Sequence, residues 1–274
     1  SIPMVVYGVS TSTSISSLFM AGFLPGLLIG SSLILMSYIY CRRHGWKGDD
    51  RRYTFREKME AIWDAKWALI NPIIILGGIY AGVFTPTEAA AVAAVYAFIC
   101  GVFIYRELDF KQLFGTLGSA CSTTGTTMVI IGCATAFTRI LTIEKIPDTI
   151  TTGILNFSDN MIVILLLINL LLLVVGCFMD TTPAMMVLSP ILLPIAMQFG
   201  VDPIHFGLIM VVNLAIGFIT PPLGINLFVA ARVGGSSLET VCSGIIKFIL
   251  VMILDLLLIT FIPGISMILP NTFM

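Results

Sequence analysis

The sequence predicts an all-α polytopic membrane protein with a re-entrant hairpin and a broken helix. Three observations predict it. Of 274 residues, 58% are hydrophobic and only 11% are charged, against about 25% charged in a soluble domain. Mean hydropathy is +1.04, and the apolar residues fall in runs long enough to cross a bilayer, which takes about 20 residues. Two of those runs carry a polar or proline interruption in their middle. Net charge is −1, so nothing points to nucleic acid, and lipid is the expected solvent.

The elements follow in order. "SIPMVVYG" starts inside an apolar segment without Met, so the chain is expected to be a piece of a longer protein. An apolar run from about Leu18 to Tyr40 is interrupted by Pro25 and Gly30. Half of the fourteen Lys and Arg then fall between Arg42 and Lys58. Short basic loops stay in the cytoplasm, so this loop sets the orientation. In "TFREKMEAIWDAKWALINP", Met59, Ile62, Trp63, Trp67 and Ile70 recur at helical period. With Lys66 they suit either a helix lying at the membrane interface or an ordinary cytoplasmic helix. Thr85-Pro86-Thr87-Glu88 is a helix start: a cap, a proline in the first turn and an acid near the helix N-terminus. A Ser/Thr/Gly/Ala-rich segment runs from about Thr116 to Thr142. "IPDTITTGILNFSDN" reads as a short helix and turn. Asp202-Pro203 opens another helix, and a last span covers about Gly244 to Pro263. The divisions expected are 1–40, a basic loop with an amphipathic helix at 41–71, and 72–274. The last contains a hairpin at about 161–199 and a broken helix at about 204–233.

The interruptions carry the chemistry. Asp180, Thr181, Thr182 and Pro183 sit between two apolar halves, each marginal for a full crossing. Such halves can dip in and return, with the polar residues at the tip. In "NLAIGFITPPLGINLFVAA", Pro221 and Pro222 lack amide donors and clash with the preceding turn, so carbonyls near Ile216–Thr220 lose helical partners. In lipid each unmet group costs several kcal/mol, and such backbone persists only inside protein or along a cavity. A break of this kind suits an ion: free carbonyls and a helix C-terminus attract a cation, a half-helix N-terminus an anion. Asp180 adds one charge, Thr181, Thr182 and Thr220 hydroxyls, and Asn213 and Asn226 amides. Gly217 and Gly224 permit close backbone approach. This set suits a singly charged hard cation and lacks the carboxylates of a tight Ca²⁺ site. The same residues also fit a packing kink with an aspartate cap, and both readings stand at this point. A weak internal likeness adds to the first. "SIPMVVYGVSTSTSISSLFMAGFLPGLL" and "LGINLFVAARVGGSSLETVCSGIIKFIL" both run from an apolar segment through a Ser/Gly turn into a helix, as duplicated transporter halves do.

Other polar residues read as structural. Arg139 and Glu144 suit a surface pair. Arg232 fits a snorkelling arginine better than an anion contact. His205 is placed at an interface, His44 in solvent, and Asp255 with a structural partner. The methionines suit core packing. The six cysteines form no CxxC pair and behave as small hydrophobes. No nucleophile–base pair or phosphate loop is present, so an enzyme is not expected.

"GGIYAGVFTPTEAAAVAAVYAF", "DTTPAMMVLSPILLPIA", "DPIHFGLIMVVNLAIGFITPPLGINLFVA" and "FIPGISMILP" together resemble the large membrane (M) subunit of tripartite ATP-independent periplasmic (TRAP) transporters. The likeness is DctM-like, runs through the whole chain and lacks roughly that subunit's first third. It implies an inverted-repeat, elevator-type, Na⁺-driven importer in the bacterial inner membrane. Its partners would be a small membrane Q subunit and a periplasmic solute-binding P subunit that delivers an organic acid such as a C4-dicarboxylate or sialic acid. It maps an Na⁺ site onto Asp180, Thr181, Thr182, Gly217, Thr220 and Pro221. Asn213, Gly224, Asn226 and Arg232 become candidate substrate contacts. Two other functions fit the residues: an organic-anion carrier that works without a binding protein, and a non-transporting scaffold subunit.

Overall fold

A computed structural model describes residues 1–47, 53–145, 149, 153, 160–221 and 224–273. Most of 146–159, expected as a short helix and turn, lies outside the described residues. The chain divides into two compact units, Ser1–Tyr40 with Ile130–Met274, and Cys41–Val129. Among the described residues, six helices are long and apolar enough to cross a membrane.

Cys41–Val129 contains α4 (Phe55–Asp64), α5 (Lys66–Tyr80) and α6 (Pro86–Ile99), with a π-helical turn at Cys100–Ile104. A capping box starts α4: the Thr54 N–H donates to Glu57 Oε2 at 2.7 Å. The helix buries none of its residues and meets α5 at a 64° bend. At that bend the Lys66 ammonium lies 4.0 Å from the Trp63 ring centroid, with Trp63 67% exposed. An aromatic–cation cluster on an unburied amphipathic helix suits both expectations for this segment, an interfacial and a cytoplasmic helix. The expected start of α6 is a second capping box. The Glu88 N–H donates to Thr85 Oγ1 at 3.3 Å, and the Thr85 N–H to Glu88 Oε2 at 2.8 Å. α5 and α6 pack together, and Tyr96 Oη bonds back to the Trp67 carbonyl at 2.9 Å.

The other unit begins with α1 (Ile2–Thr11), α2 (Ile15–Ala21) and α3 (Phe23–Arg43). The first apolar run is interrupted at Gly22, not at Pro25 and Gly30 as expected. Pro25 falls in the first turn of α3, where an amide donor has no helical acceptor and its loss is harmless. Gly30 continues the helix, with open space where a Cβ would project. α7 (Phe110–Ile143) contributes its part from Ile130 onward. Then come α8 (Met161–Phe178), α9 (Thr181–Gln198), α10 (Pro203–Gly217), α11 (Ile225–Gly234), α12 (Leu238–Phe261) and α13 (Gly264–Phe273). The last span thus starts six residues earlier than the expected Gly244.

The core lies where α1, α8, α9 and α10 meet. Tyr7, Leu18, Met185, Ile195, Phe206 and Leu214 are fully buried there. Tyr7 Oη donates to the Pro203 carbonyl at 2.7 Å, and Asp202 caps α10 through the Ile204 N–H at 2.7 Å. A second cluster joins α10 and α12 through Val212, Ile216, Ile249, Leu256 and Ile259. Buried Asp255 finds its expected structural partner on α3, where the Ser32 hydroxyl donates to its carboxylate.

Candidate cation site at a hairpin tip and a helix break

α8 buries Ile164, Leu165, Ile168, Asn169, Leu172 and Gly176, a spacing that lines one helical face. It ends at Met179, which turns extended (φ −122°, ψ 149°). Asp180 follows, also extended (φ −62°, ψ 149°), and α9 begins at Thr181. Pro183 then lies in the first turn of α9, where it costs no hydrogen bond. Two residues thus separate the helices of the hairpin.

α10 runs only to Gly217. Beyond it the chain tightens: the Ile219 N–H donates to the Ile216 carbonyl at 3.1 Å and the Thr220 N–H to the Gly217 carbonyl at 2.9 Å. Thr220 Oγ1 donates to the Ile216 carbonyl at 2.7 Å. The carbonyls of Ile216 and Gly217, expected to be released, are therefore occupied. Those of Phe218, Ile219 and Thr220 accept no backbone hydrogen bond among the described residues. These three lie within the expected stretch Ile216–Thr220, the Thr220 hydroxyl and a tight turn having taken up the carbonyls of Ile216 and Gly217. Of the proline pair, Pro221 is described and Pro222 lies outside the described residues. Gly224, buried, starts α11, and a Cβ on it would come within 3.0 Å of the Thr220 carbonyl oxygen.

The hairpin and the break are clasped together by two glycines. A Cβ built on Gly217 would lie 2.5 Å from the Cα of Gly176 and 2.6 Å from its carbonyl carbon. One built on Gly176 would lie 3.1 Å from the Cα of Gly217 and 3.2 Å from that of Leu214. Only glycine at both positions lets these backbones touch. Asn169 faces Asn213 and Gly176 faces Gly217, so α8 and α10 run parallel and end together. Asp180 lies one helical turn past Gly176, and Thr220 lies three residues past Gly217. The two interrupted elements therefore leave the clasp at the same end.

The tip residues are available there. Asp180 occupies the cap position of α9, yet its side chain makes no cap hydrogen bond. Its Oδ1 accepts a 3.3 Å bond from the Thr181 hydroxyl. A pure capping aspartate would bond an amide of the first turn, as Asp202 does at α10. Asp180 is exposed, while Thr181, Thr182, Thr220 and Pro221 are half-buried. Among the described residues no group of three or more His, Cys, Asp or Glu is assembled. What the site offers is a single carboxylate, hydroxyls and peptide oxygens, the donors a monovalent hard cation takes.

Two of the four candidate substrate contacts lie elsewhere. Asn213 is fully buried between α8 and α10. Its Nδ2 donates to Asn169 Oδ1 at 2.7 Å and to the Ile209 carbonyl at 2.8 Å, while its Oδ1 is buried without a hydrogen-bond partner. Lying a turn before the break on the α8-facing side of α10, Asn213 ties these helices together. Arg232 is exposed in the last turn of α11, seven residues from Ile225 and so ~10 Å along the helix from its start. Asn226 is exposed in the first turn of α11, and Gly224 borders the break.

Asn213 belongs to a buried polar chain that the sequence reading did not assemble. Asn169 Nδ2 donates to Thr260 Oγ1 at 3.1 Å. The Thr260 carbonyl lies 3.2 Å from His205 Nε2, and His205 Nδ1 lies 2.6 Å from Ser266 Oγ. These residues join α8, α10, α12 and α13. His205, expected at an interface, is 2% exposed inside this chain. The signal was present in "LLINLL", where one asparagine in an otherwise apolar helix demands a partner.

An all-helical chain with six helices long and apolar enough to cross a membrane among its described residues is of the class of multi-pass membrane proteins. Residues 1–265 match the family model for the tripartite ATP-independent periplasmic transporter, DctM component, and the chain belongs to that family. It is 49% identical over 265 residues to the isethionate TRAP transporter permease protein DctMQ of Oleidesulfovibrio alaskensis, covering 97% of this chain and 42% of that protein. It is 42% identical over 271 residues to the C4-dicarboxylate TRAP transporter large permease protein DctM of Pseudomonas aeruginosa (99% and 63%). It is 38% identical over 274 residues to the sialic acid TRAP transporter large permease protein SiaM of Vibrio cholerae (100% and 64%). The chain therefore spans about two fifths to two thirds of the length of these relatives. It is a multi-pass protein of the bacterial inner membrane.

Proposed function

We propose that this chain forms part of the membrane subunit of an Na⁺-coupled secondary transporter that imports an organic acid. The observation that carries the reading is the Gly176–Gly217 clasp, a close approach of the helix ends that lead to the acidic tip and to the break. Na⁺ would be held by Asp180, the Thr181 and Thr182 hydroxyls, and peptide oxygens after Gly217, with Thr220 and Pro221 shaping the turn. Bound Na⁺ would neutralise Asp180 and pin the tip to the break, leaving a pocket fit for an anion.

The length of α10 supports a break inside the bilayer. α10 has 15 residues from Pro203 to Gly217, so it rises ~22 Å, short of a ~30 Å hydrocarbon core. The ten residues of α11 would supply the remainder of the crossing. Movement of the loaded unit as a body, in elevator fashion, is the mechanism this arrangement favours.

The relatives are named for isethionate, C4-dicarboxylates and sialic acid. The substrate class proposed here is accordingly an organic anion with a carboxylate or sulfonate. Delivery would come from a periplasmic solute-binding P subunit, with a small Q subunit bracing the membrane part.

The test is uptake by the full-length protein in proteoliposomes, with and without Na⁺ and with and without the binding protein. Loss of transport on removing either is expected, together with loss of Na⁺ dependence in Asp180→Ala. Unchanged Na⁺ dependence in that variant would remove the site assignment. Uptake without the binding protein would favour a self-sufficient carrier. Absence of any Na⁺-dependent thermal stabilisation would favour a scaffold subunit.

A further inference from the structure

A cavity of about 420 Å³ lies between the end of α1, the C-terminal part of α7 and the middle of α9. All of these residues belong to the unit Ser1–Tyr40 with Ile130–Met274. None of the candidate cation ligands borders it. Ser189, which bonds across to its wall, is eight residues past Thr181, ~12 Å along α9 from the hairpin tip.

The wall is divided by chemistry. Val9, Ile131 and Met186 make it apolar, while Ser10, Thr135 and Arg139 bring polar groups. Thr135 and Arg139 are four residues apart and share one face of α7. Ser10 Oγ lies 3.0 Å from Ser189 Oγ and donates to the Tyr7 carbonyl at 3.0 Å. Thr135 Oγ1 donates to the Ile131 carbonyl at 2.8 Å. Arg139, expected to pair with Glu144, forms no ion pair among the described residues, and no carboxylate lines the cavity. Arg139 is exposed and lies two residues from the end of the stretch of α7 long and apolar enough to cross a membrane, Lys111–Leu141. A guanidinium there reaches the polar end of the span, and with no carboxylate on the cavity wall it is open to pair with the anionic head of a ligand.

We infer that this cavity binds a monoanionic organic ligand. Its head, a carboxylate, sulfonate or phosphate diester, pairs with Arg139 in the fork geometry that guanidinium groups favour. Ser10 and Thr135 lie within the same polar wall. Its stem packs against Val9, Ile131 and Met186. One cation matches one negative charge, whereas the second charge of a dianion would be forced onto the apolar wall. The volume equals about fourteen water molecules at ~30 Å³ each, enough for a head and a short stem. The ligand has two sources, a free organic anion or the headgroup of an anionic lipid. The inference stands apart from the proposed transport function, since it uses no residue of the tip or the break.

The test uses the full-length protein in phosphatidylcholine nanodiscs. Butanoate and succinate binding are followed by saturation-transfer NMR, and retained phosphatidylglycerol by native mass spectrometry. The wild type should bind butanoate or phosphatidylglycerol saturably, and succinate at least ten-fold more weakly than butanoate if the ligand is a free anion. Arg139→Gln should weaken the binding probe at least ten-fold, Arg139→Lys less, and Thr135→Val a few-fold. Saturation by butanoate identifies a free-anion site, and by phosphatidylglycerol alone a lipid site. The inference is overturned if the wild type saturates with neither probe, or if Arg139→Gln binds both as the wild type does. Should Arg139→Gln fail to fold, unchanged binding in both Arg139→Lys and Thr135→Val would overturn it equally.

Discussion

Gly217→Ala tests the clasp directly. The added Cβ would sit 2.5 Å from the Cα of Gly176, 2.6 Å from its carbonyl carbon and 3.0 Å from the Cys177 nitrogen. Every one of these is backbone, so no rotamer change relieves the contact. Carbon atoms pack best at about 3.5–4.0 Å, so α8 and α10 must separate by ~1 Å. Overpacking of this kind typically costs ~1–3 kcal/mol. The functional cost should be larger in proportion, because the hairpin tip and the break would part by the same distance. Gly176→Ala meets its nearest atoms at 3.1–3.2 Å and should be milder. Gly30→Ala is the control. Nothing lies within 4 Å of its added Cβ, and alanine favours a helix interior over glycine by ~0.5–1 kcal/mol. The assay is thermal unfolding of the purified full-length protein with and without Na⁺. A ligand that binds only the folded state stabilises it by RT ln(1 + [L]/Kd), about 2.7 kcal/mol at a hundredfold excess over Kd. Gly217→Ala should lower Tm and reduce the Na⁺-induced increment, with Gly176→Ala between it and the wild type. Gly30→Ala should match or exceed the wild type in both. If Gly217→Ala kept the wild-type Tm and the full Na⁺ increment, the clasp would not be what assembles the site.

Asp180→Asn, which keeps shape and loses charge, should abolish the Na⁺-induced rise in Tm while leaving the Na⁺-free Tm within a few degrees; a retained rise refutes the ligand role. Asn169→Leu and Asn213→Leu should each destabilise by ~1–3 kcal/mol through the group left unpaired. Their double-mutant cycle should show positive coupling of about 0.6 kcal/mol, the average for hydrogen bonds inside membrane proteins, and strictly additive losses would dissolve the pair. Ser32→Val strands the buried Asp255 carboxylate and should lower Tm; adding Asp255→Asn should recover part of the loss, and an unaltered Tm in Ser32→Val would show that the contact contributes nothing. Thr85→Ala removes a cap and should cost ~0.5–2 kcal/mol, with no change in Na⁺ response.

Much of this architecture is written in local chemistry. Thr85 to Glu88 and Asp202-Pro203 are self-contained helix starts, since cap, proline and acid act within one turn, and both form as their residues dictate. The interruptions at Met179–Asp180 and after Gly217 were legible for the same reason: proline and polar clusters end helices wherever they fall. Pro25 was misread because a proline's effect depends on position. In the middle of a helix it breaks; in the first turn it is neutral, and nothing in the local sequence fixed where α3 begins. Which of the carbonyls from Ile216 to Thr220 the break frees was left open. The Thr220 hydroxyl competes for the Ile216 carbonyl, a choice between side chain and backbone that spacing alone leaves open.

Long-range pairing was the part that sequence could not supply, and the candidate site depends on it. Asn169 and Asn213 are both recognisable as polar residues in apolar helices, yet each could have faced a pocket. What decides is that they find one another across the α8–α10 seam. That pairing gives Asn213 a structural part in the seam. The asparagine pair ties two parallel helices; Gly176, two turns past Asn169, and Gly217, one turn past Asn213, then fall opposite each other and the backbones close. From there the chain has only to run one more turn on each side for Asp180 and the free carbonyls after Gly217 to emerge together. A buried hydrogen bond, a pair of missing methyl groups and a tight turn thus bring the ends of α8 and α10 together, from which the acidic tip and the break continue. The polar chain through Thr260, His205 and Ser266 anchors the same seam to α12 and α13, so displacement at the tip is resisted by four helices rather than two.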